Sequence, residues 1–399
     1  TVFWFNLIAA LIMMLILIAG APWIAGYFDT PILENLTIVL AAHVALSSLG
    51  TTQGTLFTKR LDFKSPMKIG VVSALLAGGV GILMAWNNFG VWALAGQIIS
   101  STLFCVALLW CISPWRPLMV FEKNSFKKLF GYGGWLFFSG VLDALYNRSA
   151  SLIIGKLYGR HDLGIYSRAD NIQSLAAGVI SNVLARVTFP LFSSVNDDKY
   201  RLRRGMQMVV RILMFVTIPI MTGLALLAEP FIRLIYGENW LGVVPILQIL
   251  TFTGLLFPLQ VVNLSILQAQ GHSKLFFRLE VVKKVIGVFL LIFGSMHGLI
   301  GLAVAIGVGS AISLFINAYY TKKHLDYGIF SQIKDCADSL FNVCVMSCVI
   351  LLFKTNLGTI NWWSFFALVM SGAIVYLLLS VLMRSSSYTL VKNIIMKRD

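Results

Sequence analysis

Residues 5–25 read FNLIAALIMMLILIAGAPWIA, an apolar run long enough to cross a bilayer as one helix. Working outward, Ala21-Pro22 at its end has a counterpart in Glu229-Pro230, 208 residues further on. Phe89-Gly90, which opens a later apolar run, is matched by His297-Gly298 at that offset, and Leu94-Ala95 returns as Leu302-Ala303. Such a unit is far too long for a solenoid repeat. Paired halves in so apolar a chain point to a transporter.

Composition supports a membrane setting. Hydrophobic residues make up 58% of the 399 positions and charged residues 12%, with mean hydropathy +0.85. A soluble domain carries about 25% charged residues. Twelve blocks are long enough to span: 5–25, 36–57, 69–86, 91–112, 134–157, 164–192, 209–228, 241–269, 275–296, 299–320, 337–354 and 362–384. They are continuous rather than alternating, so the fold class is an all-α integral membrane protein.

The net charge of +15 is distributed by side. Lys59, Arg60 and Lys64 follow the second block, Arg116 and Lys123 the fourth, Lys199, Arg201, Arg203 and Arg204 the sixth. Lys274 and Arg278 follow the eighth, Lys322 and Lys323 the tenth, and Lys392, Lys397 and Arg398 the twelfth. Positive loops stay cytoplasmic, which places both ends of this chain on the cytoplasmic side of a multi-pass membrane protein and excludes a nucleic-acid partner. Cys105, Cys111, Cys336, Cys344 and Cys348 lie in or beside apolar blocks and read as buried inert thiols, with no metal site.

The offset sets out the domains. Residues 1–112 form an N-terminal lobe of four helices, 113–133 a cytoplasmic linker, and 134–321 a C-terminal lobe of six. A polar amphipathic link over 322–336 precedes two extra helices at 337–384, and 385–399 is a cytoplasmic tail. The shared spans run in the same direction in both halves, so the repeat is parallel. Residue 1 maps to residue 209, so 134–157 and 164–192 have no counterpart. The expectation is an N-terminally truncated piece of a fourteen-span protein, with an asymmetric native chain as the rival.

Ionisable residues concentrate where they are costly. Asp143, Arg148 and Lys156 fall in one span, Arg168, Asp170 and Arg186 in the next. Each costs about 2.5–3.5 kcal/mol at bilayer depth, so each needs a wet cavity or a partner. Arg168 and Arg186 are 18 residues apart, which places them on one helix face about 27 Å apart. Asn182 lies near that face. Guanidinium groups bind phosphate in a bidentate fork, so the stripe suits an anionic, diphosphate-bearing ligand. Arg148, Arg186, Arg168, Lys156, Asn147 and Asn182 are the substrate-binding candidates, and Asp143 and Asp170 are charge partners or ion-coupling groups. The alternatives are snorkelling of the cations to the interfaces, an Asp143–Asn147 bond between helices, and Asp170 as a helix cap. Gln248, Gln260 and Asn263 read as polar glue between helices, and His43 as a packed, hydrogen-bonded side chain.

No GxxxxGK[ST] loop, GxSxG elbow or HExxH helix occurs, and outward loops are short, so the chain is not an enzyme. Against that background Thr1-Val2-Phe3-Trp4-Phe5-Asn6, Arg60-Leu61-Asp62-Phe63 and Phe89-Gly90-Val91-Trp92-Ala93-Leu94 resemble bacterial polysaccharide exporters. So do Ser151-Leu152-Ile153-Ile154-Gly155-Lys156, Leu163-Gly164-Ile165-Tyr166-Ser167-Arg168-Ala169 and Leu227-Ala228-Glu229-Pro230-Phe231. The match is to the oligosaccharide-flippase branch of the multidrug/oligosaccharidyl-lipid/polysaccharide exporter superfamily, over residues 1 to about 321. The resemblance implies two helical lobes around a central cavity and alternating-access translocation of an undecaprenyl-diphosphate-linked oligosaccharide. It implies no cofactor, an ion gradient or membrane potential as drive, and membrane lipids as partners beside the lipid-linked oligosaccharide. A polysaccharide polymerase and glycosyltransferases are candidate partners. The rival functions are a multidrug or cation exporter of the same superfamily and a non-transporting scaffold of the polysaccharide assembly machinery.

Overall fold

The computed structural model describes residues 1–60, 62–120, 122, 140–141, 144–194, 198–269, 273–357, 361–383 and 385–390. Side chains are described at all of these except 179–194, 267–269 and 273–274. The described chain is helical: α1 (Val2–Tyr27), α2 (Ile32–Lys59), α3 (Lys64–Trp86), α4 (Val91–Ile112), α5 (144–157), α6 (Gly159–Ser194) and α7 (Lys199–Leu226). There follow α8 (Ala228–Tyr236), α9 (Val243–Ala269), α10 (Ser273–Ser295), α11 (Gly298–Leu325), α12 (Ile329–Asp335), α13 (Ala337–Asn356) and α14 (Trp362–Leu382). Nine of them, α1–α4, α7, α9, α11, α13 and α14, are long and apolar enough to cross a membrane. The expected twelve is not reached among the described residues, because the other long helices, α5, α6 and α10, carry the intramembrane charges or are only partly described. The protein is an all-α, multi-pass membrane protein.

Two compact units divide the chain, 1–144 and 145–399. In the first, α1 packs on α2, α3 on α4, and α2 on α4. Its buried contacts are mostly small residues, among them Ala21, Ala41, Ala77 and Ala95, while Leu15, Ile16 and Leu75 face outward. Close backbone approach through small residues is how helices associate in lipid, which already solvates apolar side chains. His43 Nδ1 meets Thr102 Oγ1 at 2.7 Å across α2 and α4, the packed role expected of it. Arg116 donates to the carbonyls of Trp110 and Ser113, capping the end of α4.

The duplication is visible in the helix ends. Shifted by 208, residues 32, 64 and 91 fall on 240, 272 and 299, against observed starts at Val243, Ser273 and Gly298. The turns agree in conformation as well: Gly90 and Gly298, one offset apart, both adopt positive φ (53° and 76°). So do Asp29 and Gly237, at 50° and 86°. A left-handed backbone favours glycine, which is why Phe89-Gly90 and His297-Gly298 survive as landmarks.

In the second unit α9 is central, touching α6, α7 and α11, and α13–α14 dock on α7. Prolines decide where they dock. Pro219 lies inside α7 and has no N–H, so the Phe215 carbonyl loses its ladder donor. The Tyr376 hydroxyl of α14 supplies one at 2.9 Å. Pro230, in the first turn of α8, does the same to Leu226, and the Lys354 ammonium of α13 donates to that carbonyl at 3.2 Å. Gln248 to the Ala225 carbonyl (3.1 Å), Gln260 to Ser310 Oγ (2.7 Å) and Asn263 to Gln332 (3.1 Å) are the expected polar glue.

The cysteines differ from expectation. Cys336 is buried, and burial pushes its thiol up to about 12, but Cys111, Cys344 and Cys348 are exposed. On a membrane helix the outer face is apolar, so a thiol there needs no burial.

Tyr376→Phe leaves the Phe215 carbonyl unpaired and should lower unfolding free energy by about 1–3 kcal/mol. Adding Pro219→Ala, which restores the ladder N–H, should remove most of that loss. Denaturant titration in detergent measures both, and a full loss persisting in the double variant would contradict the assignment.

Candidate functional site

The charged pair of spans is a helical hairpin with almost no loop. α5 ends at 157, Gly159 takes φ 83°, and α6 then runs unbroken for 36 residues. At about 1.5 Å per residue α6 exceeds the ~30 Å hydrocarbon core. Arg160 and Asp162, which fall between the expected spans 134–157 and 164–192, lie in its first turn. The hairpin is held by a core of Ala150, Ile154, Tyr166 and Ala169 packed with Ile246, Leu247, Leu302 and Ala303.

Arg148 stands two residues from buried Ala150, roughly 200° around the helix, so it projects away from that core and is exposed. Its charge acts on half-buried Asp170 and on the buried Tyr166 hydroxyl of α6. Arg148, Tyr166 and Asp170 therefore form one electrostatic cluster. Asp170 is not a cap, since α6 begins eleven residues before it; its neighbour is the cation of α5. Asn147 and Lys156 are exposed on α5. Asp143 lies outside the described residues, as do the side chains of Asn182 and Arg186, whose backbone continues α6.

Arg168 is held differently. Its guanidinium sits 5.1 Å from the ring centre of Tyr236 and 5.3 Å from that of Trp240, whose centroids are 6.2 Å apart. The first ring comes from the end of α8 and the second from the short turn Glu238–Trp240. Such a bracket is worth about 0.5–2 kcal/mol and fixes the charge without neutralising it. Arg168 and the Arg148 cluster thus occupy separate parts of the hairpin's surroundings.

One feature of the site was missed in the sequence. On α10, Lys283 Nζ pairs with Glu280 Oε1 at 2.5 Å, with side chains only 9% and 24% exposed. Tyr146 of α5 lies against the same helix, where a Cβ at Gly287 would collide with its hydroxyl. Glu280 also bears electrostatically on Tyr146. Counting charges inside the block 275–296, as was done for 134–192, finds this pair. A separate cleft of about 490 Å³ lies between α7, α8, α13 and α14; Phe215, Ile220, Leu224, Phe365 and Val369 are in its almost wholly apolar lining.

The family described as "Polysaccharide biosynthesis protein" matches residues 1–245, and "Lipid II flippase MurJ" matches residues 161–373. The teichuronic acid biosynthesis protein TuaB of Bacillus subtilis is 29% identical over 69% of this chain and 58% of its own length. The succinoglycan biosynthesis transport protein ExoT of Rhizobium meliloti is 25% identical over 75% and 60%. The lipopolysaccharide biosynthesis protein WzxC of Escherichia coli is 24% identical over 75% and 62%. The chain thus spans about three-fifths of these relatives. Among solved structures, an inward-closed lipid II flippase MurJ superposes with TM-score 0.74 at 18% identity, covering 94% of this chain and 81% of that one. An inward-facing multidrug transporter of the MATE family gives 0.65 at 16%, covering 80% and 79%. The fold is theirs.

Lys283→Met alone strands the Glu280 carboxylate and should destabilise by about 3–5 kcal/mol, whereas Glu280→Gln with Lys283→Met should recover most of it. Thermal unfolding in detergent would show this. A single variant as stable as the parent would mean that the pair is water-exposed.

Proposed function

The chain belongs to the polysaccharide biosynthesis protein family, and on that premise we propose that it translocates a lipid-linked oligosaccharide by alternating access. The anchor is undecaprenyl diphosphate and the membrane the bacterial inner membrane, with both ends of this chain cytoplasmic. The observation that carries this reading is Arg148, an exposed cation in a span, set near half-buried Asp170 of α6 among the described residues. A cation at lipid depth that lacks full neutralisation is poised for an anionic ligand.

In this proposal Arg148 and Asn147 meet the diphosphate and Arg168 offers a second station, its guanidinium prepositioned by Tyr236 and Trp240. Arg186 and Asn182 extend the path along α6, and Lys156 stands near its other end. The apolar cleft beside α14 suits the polyprenyl chain, which needs a wall without polar groups. Asp143 and Asp170 balance the cations as cargo arrives and leaves, and an ion gradient or the membrane potential supplies the drive. Glycosyltransferases would supply such a substrate and a polymerase would consume it. A cation exporter fits less well: a cationic cargo favours embedded acids, whereas basic residues outnumber acids in the hairpin spans.

Arg148→Ala or Arg186→Ala in the native host should abolish surface polysaccharide while membrane expression stays normal. Arg148→Lys keeps the charge and loses the fork, so export should fall roughly tenfold, the worth of one charged hydrogen bond. Normal polysaccharide with both alanine variants would sink the anionic-path mechanism.

A further inference from the structure

The link between α11 and α12 is built inside out. On α12, Gln332 is fully buried and exchanges hydrogen bonds with Asn263 of α9 at 2.9 and 3.1 Å. Asp335 accepts from Arg211 of α7 and from the Tyr327 hydroxyl, the latter at 2.7 Å. The exposed positions are Phe330 (83%), Ile333 (48%) and Lys334. A helix that buries a glutamine and exposes a phenylalanine and an isoleucine is not stabilised by water on that outer face. It fits the boundary between headgroups and hydrocarbon, where an apolar face has somewhere to go.

Beside this helix the end of α11 leaves a cleft of about 590 Å³. Phe315, Tyr319 and Phe330 line it, and Lys322 stands at its rim. The aliphatic stem of Lys322 runs over Gly328, where an added Cβ would come within 3.1–3.2 Å of three of its carbons. The exposed ammonium is paired with no described residue. The carboxylate on the rim, Asp326, is engaged instead by Lys199 at 3.0 Å, and that ammonium holds its carboxyl below the usual range. Lys323 is exposed on the neighbouring position but does not line the cleft.

We propose that this cleft is a binding site for an anionic glycerophospholipid, with its phosphate on Lys322 and its acyl chains along Phe315, Tyr319 and Phe330. Charge complementarity selects the occupant: Lys322 is the exposed cation in the cleft's lining, and an anionic headgroup attracts a basic residue at the membrane surface by about 1 kcal/mol. Because α12 connects α7 and α9 to the C-terminal helices, a lipid seated there braces that connection from outside. The site rests on membrane insertion alone and stands whether or not the transport proposal does.

The test uses the intact protein in nanodiscs of phosphatidylcholine with graded phosphatidylglycerol, with retained lipid counted by native mass spectrometry. Lys322→Gln should retain phosphatidylglycerol about fivefold less, while Lys323→Gln matches the parent. Ser331→Phe, which fills the cleft and alters no charge, should lose it too, with thermal unfolding confirming that each variant folds. Equal losses in both lysine variants would overturn the proposal in favour of diffuse attraction. Equal retention of phosphatidylcholine would overturn the headgroup contact, and displacement by excess inorganic phosphate would show a phosphate site rather than a lipid site.

Discussion

Lipid offers no hydrogen bonds, so every backbone carbonyl that a proline orphans at membrane depth must find its donor within the protein. At two prolines of the second unit the donor is a side chain of the C-terminal helices. Pro219 frees the Phe215 carbonyl and Tyr376 answers it; Pro230 frees that of Leu226 and Lys354 answers it. The two C-terminal helices are docked on α7 by these donors together with the apolar contacts of Met346, Ile350 and Leu368. The same rule governs charge. Arg168 is bracketed by aromatic rings, Lys283 is paired with Glu280, and Asp170 is placed beside Arg148.

Much of this architecture was legible in residue order. Apolar block lengths gave helices, and the 208-residue spacing marked turns that the structure builds with matching positive φ at Gly90 and Gly298. Periodicity reports burial only where water is the alternative, and that is where legibility ended. The exposed Cys344 and Cys348 and the inverted faces of α12 follow a lipid-facing rule that a polar-outside pattern cannot express. The joint at Gly159 was misread because polar Arg160, His161 and Asp162 look like a loop, although they open a helix. The Lys283–Glu280 pair escaped because it sits in a block otherwise rich in Val, Phe and Leu. Nothing in the sequence could have placed Trp240 beside Arg168, a contact between residues 72 positions apart.

In the proposed transport path the described cations are held in two ways, Arg148 beside a carboxylate and Arg168 against two aromatic rings. A fully paired charge is structural; an exposed one set beside a half-buried carboxylate, as Arg148 is, retains attraction for a third party. Shared fold with a lipid II flippase and a multidrug transporter does not choose the cargo, because proteins with different cargoes carry this fold. The choice rests on the sign of these side chains. The most direct measurement is transport by the intact protein in proteoliposomes loaded with a fluorescent undecaprenyl-diphosphate oligosaccharide, following its appearance in the opposite leaflet. The account predicts saturable movement that an unlabelled diphosphate lipid competes and a cationic dye does not. Movement of the dye with the oligosaccharide left in place would contradict it.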